Sequence, residues 1–204
     1  MRLINILSVF FIISVFIGCV QQSDKNTFDL QPQKIFDFEV DKSTLNLVPS
    51  KGQWFFNDVP FNGYAIKKHQ NGVTGERFGY YNGKKEGIAK KFFDSGALHK
   101  EMLYIQNKLH GTSYTYYPDG SLYEESNYTY GKRNGVQKTW YANGQLAKQR
   151  NLVDGKEEGM QQAWLENGKI YVNYEVKNGR IFGMNRANLC YQLKEEKIEY
   201  AKDK

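Results

Sequence analysis

Residues 140–159 read WYANGQLAKQRNLVDGKEEG, with glycine at 144, 155 and 159. Such a stretch is either one glycine-rich site or a piece of a longer period. A phosphate cradle is a single local cluster that opens a helix. Counting from Gly159 in steps of 24 reaches Gly63, Gly87, Gly111, Gly135 and Gly183. A second series runs Gly72, Gly96, Gly120, Gly144 and Gly168, and a third Gly83, Asn107, Gly131, Gly155 and Gly179. Asn107 is the single departure, and asparagine also tolerates a left-handed backbone. A pattern that recurs five times without insertion marks a repeat protein, not one site.

The other positions keep the same period. Five residues after the first glycine stand Phe92, Tyr116, Trp140 and Trp164, followed by Phe93, Tyr117, Tyr141 and Leu165. The first unit has Lys68 and His69 at these places, as expected of a terminal cap. Leu98, Leu122, Leu146 and Ile170 fall eleven in, with Thr74 in the first unit; Tyr80, Tyr104, Tyr128, Leu152 and Val176 fall seventeen in. The second glycine follows Asn71, Ser95, Asp119, Asn143 or Asn167. Asn-Gly and Asp-Gly are strong hairpin signals, and their two-residue turns need positive φ at both central residues. The third glycine marks a second turn. Two turns per unit leave two strands of about six to eight residues. The expected fold is all-β: an elongated single-layer antiparallel meander of repeated hairpins. The aromatics are expected to stack along one face at successive steps, since aromatic pairs add about 0.5–1.5 kcal/mol beyond their buried area.

Units such as GTSYTYYPDGSLYEESNYTYGKRNG at 111–135 resemble MORN repeats, and more closely the bacterial MORN-variant repeat. The aromatic pair, the xNGxL turn and the NGKxxG turn carry the resemblance. It spans about residues 54–183, with a partial unit around WFFNDVPFNGYA. It implies a twisted meander and an interaction module rather than an enzyme. Proteins of this kind often carry the label YwqK-type antitoxin. A cytoplasmic antitoxin would not begin as this chain does, so the label names the repeat, not the activity.

The chain opens MRLINILSVFFIISVFIGCV. Its apolar run is shorter than the roughly 20 residues that span a bilayer, and one arginine precedes it. It resembles a bacterial lipoprotein signal over residues 1–18. The resemblance implies cleavage before Cys19, its lipidation, and a membrane anchor; Phe16 departs from the usual leucine. Val20 in place of aspartate favours the outer membrane of a bacterial cell envelope. Residues 19–50 are expected to be a polar tether and N-terminal cap. The array occupies 51–183 and a C-terminal cap 184–204, where ANLCYQL and KIEYA are candidate final edge strands and KDK charges the end.

Composition bounds the chemistry. A net charge of +6, mixed in sign, fits a solvated surface rather than a clustered nucleic-acid face. No cofactor motif, metal-ligand spacing or nucleophile motif is found. The three histidines, His69, His99 and His110, occupy unrelated unit positions and are expected at the surface. One ruler position is suggestive. Lys84, Lys108, Lys132, Lys156 and Arg180 fall twenty-one residues into each unit and would form a row along one rim. Such a row suits an anionic surface, such as phospholipid or lipopolysaccharide head groups, or is simply solvated. The aromatic face suits a peptide or glycan, or serves the array's own packing. Three functions remain open: a lipid-anchored scaffold for a protein or envelope partner, an envelope redox or metal accessory working through Cys190, and an antitoxin-like inhibitor of a partner enzyme.

Overall fold

The computed structural model describes residues 31–184, 191–194 and 197–200, with side chains through residue 183. The signal segment, Cys19, Cys190 and the terminal KDK lie outside the described residues. In chain order the strands are β1 (Glu39–Asp41), β2 (Asn46–Val48), β3 (Gln53–Phe56), β4 (Val59–Pro60), β5 (Gly63–Lys68), β6 (Thr74–Tyr81) and β7 (Lys84–Lys85). They continue with β8 (Gly87–Phe92), β9 (Leu98–Ile105), β10 (Lys108–Leu109), β11 (Gly111–Tyr116) and β12 (Leu122–Thr129). The last are β13 (Lys132–Trp140), β14 (Leu146–Val153), β15 (Lys156–Trp164), β16 (Ile170–Lys177), β17 (Arg180–Met184), β18 (Tyr191–Lys194) and β19 (Lys197–Tyr200).

Strands β5 to β17 form a sequential antiparallel meander within one 14-stranded sheet, as the glycine period predicts. Residues two places after the first glycine of a unit oppose those fifteen places after it: Ala65 faces Phe78, Ala89 Met102 and Gln137 Arg150. The two series share one face. On that face the seventeenth residue is buried through much of the array, as at Tyr80, Leu152 and Val176.

The two turns differ, and the turn at the second glycine is not the two-residue turn expected from its Asn-Gly. At Asn143-Gly144 only the glycine has positive φ, at 81°. Gly144 N–H donates to the Tyr141 carbonyl and Tyr141 N–H to the Gln145 carbonyl, both at 2.9 Å. This is a three-residue loop, a type I turn closed by a left-handed glycine. The Asn143 side chain accepts from Gln145 N–H at 2.9 Å, which is why Asn, Asp or Ser precedes this glycine. Positive φ at both central residues belongs to the other turn: Asp154 and Gly155 lie at 51° and 82°. Gln106 and Tyr130, at 50° and 49°, show that the first of these places is filled even by side chains that rarely adopt it.

The second turn also stitches units together. Gly83, Asn107, Gly131 and Gly155 donate their N–H groups to the carbonyls of Phe61, Lys85, Leu109 and Arg133, at 2.7–2.9 Å. The glycine is required most at the first of these turns. A Cβ on Gly83 would lie 2.7 Å from the Trp54 carbonyl oxygen.

The N-terminal end is thicker than one layer. Strand β1 runs parallel to β5, pairing Glu39 with Tyr64 and Asp41 with Ile66, and caps that edge of the meander. Strands β2, β3 and β4 form a separate three-stranded sheet. From this segment Leu45, Trp54, Phe56 and Phe61 pack with Ala65, Phe78, Tyr80, Ala89 and Met102 in the apolar core. A single sheet buries neither face unaided, so the terminal segment covers the first two units. Further along, the buried face turns polar. Gln137 and Gln161, both buried, each donate to two backbone carbonyls where the ladder bulges, at Asn127 and Gly135 and at Asn151 and Gly159. Strands β18 and β19 pair with each other in a separate two-stranded sheet, not as edge strands of the array.

Candidate binding surface of the repeat array

The meander has two rims, each built by one kind of turn. On the rim of the left-handed glycines Gly72, Gly96, Gly120, Gly144 and Gly168 stand the residues five and six places into each unit. The expected aromatic stack is not what joins successive units there. The ring pairs at this rim lie within a unit: Tyr117 against Tyr123 at 5.2 Å and Phe93 against His99 at 4.4 Å. The link between units is a hydrogen bond. Tyr117 and Tyr141 donate their hydroxyls to the carbonyls of Trp140 and Trp164, at 2.9 and 2.8 Å. His69 fills the same place in the first unit, with Nε2 2.9 Å from the Phe92 carbonyl. It is therefore half-buried and part of the repeat, not a random surface histidine. The signal was legible: His69 stands 48 residues before Tyr117, and both carry an N–H or O–H at the tip.

The opposite rim carries Lys84, Lys108, Lys132, Lys156 and Arg180, each the first residue after a turn with two positive-φ residues. Their environments differ. Lys84 is half-buried and donates to Gln106 Oε1 at 3.0 Å. Lys108 lies 6.0 Å from the centre of the Tyr130 ring, and Lys132 sits 3.8 Å from Asp154. Lys156 and Arg180 are exposed. Glu86, buried at the same rim, accepts from the N–H groups of Gln106 and Gln33 at 2.8 and 3.1 Å. Its carboxylate is thus taken up by backbone. A Coulomb field from this row is real but diluted by Asp154.

A second charged region lies on the buried-side face of the first two units. Glu76 accepts from Lys42 at 2.6 Å and Lys91 at 3.1 Å. Burial pushes the Glu76 carboxyl up, but the hydrogen bonds from Lys42 and Lys91 outweigh it and hold the pKa below its usual value. Near the other end, Arg150, Glu157 and Tyr174 border a polar cleft of about 230 Å³; Tyr174 donates to Glu157 at 2.8 Å. Sequence reasoning missed both groups: Lys42, Glu76 and Lys91 share no place of the unit, and Arg150 and Tyr174, though both fifteen residues in, are unlike residue types.

Three consecutive segments, 85–106, 109–130 and 133–154, match the family described as MORN repeat variant. Their starts repeat the 24-residue step, and each covers one hairpin and the start of the next turn. Repeats of this kind are found in binding and scaffold proteins. No curated protein matches. Among solved structures, a chain described as "Crystal structure of GtfA/B complex bound to UDP and GlcNAc" is similar at 13% identity with a TM-score of 0.24. That match covers 78% of this chain and 29% of the other, so this chain spans under a third of its length. Across residues 85–154 this chain is thus similar to the MORN repeat variant in sequence, and it repeats the same hairpin on either side of that match.

Proposed function

We propose that this chain is a non-enzymatic lipoprotein of a bacterial envelope, anchored through lipid on Cys19, whose repeat array is a scaffold for a protein or envelope partner. The observation that carries the scaffold reading is the matched run of hairpins in one continuous sheet. Equivalent side chains recur every two strands, about 10 Å apart at a strand spacing of 4.7–4.9 Å. Weak contacts to a repetitive partner add under such an arrangement. The row of Lys84, Lys108, Lys132, Lys156 and Arg180 suits an anionic partner surface. The exposed rings of Tyr123 and Tyr130 offer amphipathic contacts on the two rims.

The anchor rests on the residues FIGC at 16–19 and the short apolar run before them. Two or more acyl chains hold a protein stably on a bilayer, whereas one does so only marginally. Metabolic labelling with a palmitate analogue, in wild type and Cys19→Ala, tests this directly. Label and membrane association lost together in the variant support the anchor. An unlabelled, cytosolic wild type removes it and favours the antitoxin-like reading.

A further inference from the structure

Three lysine ammoniums converge on one ring of the sheet. Lys42, Lys85 and Lys91 have Nζ at 5.4, 5.1 and 5.9 Å from the centre of the Phe78 ring. Lys42 comes from the short 3₁₀ helix (Lys42–Thr44) that follows β1, Lys85 from β7 and Lys91 from β8. The acid among them is Glu76, bonded to Lys42 and Lys91. The Lys85 ammonium lies over the rings of Phe78 and Tyr104, the latter at 5.3 Å, and donates to no acceptor among the described residues. Directly across the β6–β7 pair stands Tyr80, fully buried against the rings of Trp54 and Phe61. Lys67 pairs across from Glu76 on the same face, and beside the cluster Lys67, Lys68, Glu76 and Lys91 line a cleft of about 240 Å³ that Lys42 and Lys85 do not border.

A half-buried ammonium without an acceptor is costly to leave unmade. Lys42, Lys85 and Lys91 exceed Glu76 by two charges, and Lys67 adds a third. We propose that Lys42, Lys85 and Lys91, grouped around Glu76, bind a divalent oxyanion of the phosphate-monoester class. A phosphate monoester carries close to two negative charges at neutral pH and offers three acceptor oxygens. It therefore fits the positive excess and gives the Lys85 ammonium an acceptor. Burial lowers the Lys85 pKa, Lys42 lowers it further, Glu76 opposes this and Lys91 adds to the lowering. The site involves none of the rim lysines and does not depend on the anchored-scaffold reading.

The test is calorimetric titration of inorganic phosphate into the full chain, purified in nonionic detergent. Saturable one-to-one binding is expected. Lys85→Met, which keeps the stem on the rings, is expected to weaken it by about tenfold or more, as for losing a charged hydrogen bond. Lys42→Met provides the same test from outside the repeats if the first variant does not fold. Glu76→Gln is expected to tighten binding, a direction that mere loss of packing would not give. Lys177→Gln, exposed on β16 and outside both the cluster and the rim row, is expected to change nothing. Absence of saturable binding, or equal affinity in wild type and both methionine variants, overturns the site. Vesicles of phosphatidylcholine with phosphatidic acid, offered to the full-length Cys19→Ala chain so that no anchor can hold it, distinguish the source. Retention that free phosphate competes away marks a lipid headgroup; binding of phosphate without retention marks a soluble monoester.

Discussion

The Tyr141 hydroxyl reaches out of its own unit and donates to the carbonyl of Trp164, 23 residues on, at 2.8 Å. Tyr117 does the same to Trp140. A tyrosine at this place thus joins consecutive hairpins through its tip, while its ring packs within its own unit. Tyr141→Phe removes only the donor. The expected loss is about 1 kcal/mol, the net worth of one hydrogen bond, read as a drop of about 2–4 °C in the thermal midpoint. Tyr117→Phe is expected to cost a similar amount. A double variant that loses no more than either single one would show that the two bonds are not independent links.

Equivalent glycines are expected to differ in cost. Gly155 has φ of 82° with nothing within 4 Å of an added Cβ, so Gly155→Ala should lose only the conformational penalty, about 1–2 kcal/mol. Gly83 has φ of 71° and backbone of the N-terminal layer against it. Gly83→Ala adds a steric clash to the same penalty and should cost about 3 kcal/mol or more. Urea unfolding of the two variants measures the difference. Equal losses would mean that the N-terminal layer yields freely.

Acid is expected to weaken the N-terminal end. Glu76 has its pKa below 4.5 in the fold, so its contribution is complete above 4.5 and is lost as pH falls through the folded value. Lys85 works in the opposite sense. Its folded pKa lies below 10.5, so its charge costs stability at neutral pH, and stability rises as pH climbs between the folded value and 10.5. Without added anion, Lys85→Met should therefore raise the urea midpoint at pH 7, and Glu76→Gln should lower it and flatten the loss below pH 4.5. A lower midpoint for Lys85→Met would contradict this account of its burial.

The array is expected to tolerate whole units but not fractions. Deleting residues 111–134 removes one full step and leaves Gly135 to follow His110 as Gly111 did. The shortened chain should keep its strand signal with a lower thermal midpoint, because array stability is roughly a sum over units and their interfaces. Deleting residues 111–122, half a step, brings unlike turns onto the same rim and should unfold the chain. Circular dichroism and thermal melts distinguish the two.

Much of this fold is legible because glycine and asparagine punctuate it at fixed steps. Gly144 and Gly155 locate the hairpins, and the residue seventeen places in locates buried positions such as Tyr80 and Leu152. The kind of turn was not legible. Asn143-Gly144 has the composition of a two-residue turn, yet the hydrogen bond from Gln145 N–H to Asn143 favours the three-residue loop instead. Nor was the second layer over the first units, since Leu45, Trp54 and Phe56 follow no period. The lysine cluster was hidden for a related reason. Lys42 lies outside the repeats, while Lys85 sits late in one unit and Lys91 early in the next, and only the pleat brings them over Phe78. The row from Lys84 to Arg180 was visible because it recurs.

The bonds from Gly83, Asn107, Gly131 and Gly155 back to the preceding unit give the array a direction. The parallel strand β1 and the layer over Ala65 and Tyr80 reinforce its N-terminal end, so under load the sheet is a zipper with one stopped end. Pulled by its termini, the chain should open from β17 backwards, hairpin by hairpin. Each released unit of 24 residues adds about 80 Å of slack, at 3.3–3.6 Å per residue. The result is a force–extension trace with evenly spaced teeth and a last, higher peak where the doubled layer gives way: a graded shock absorber whose travel is set by the number of repeats.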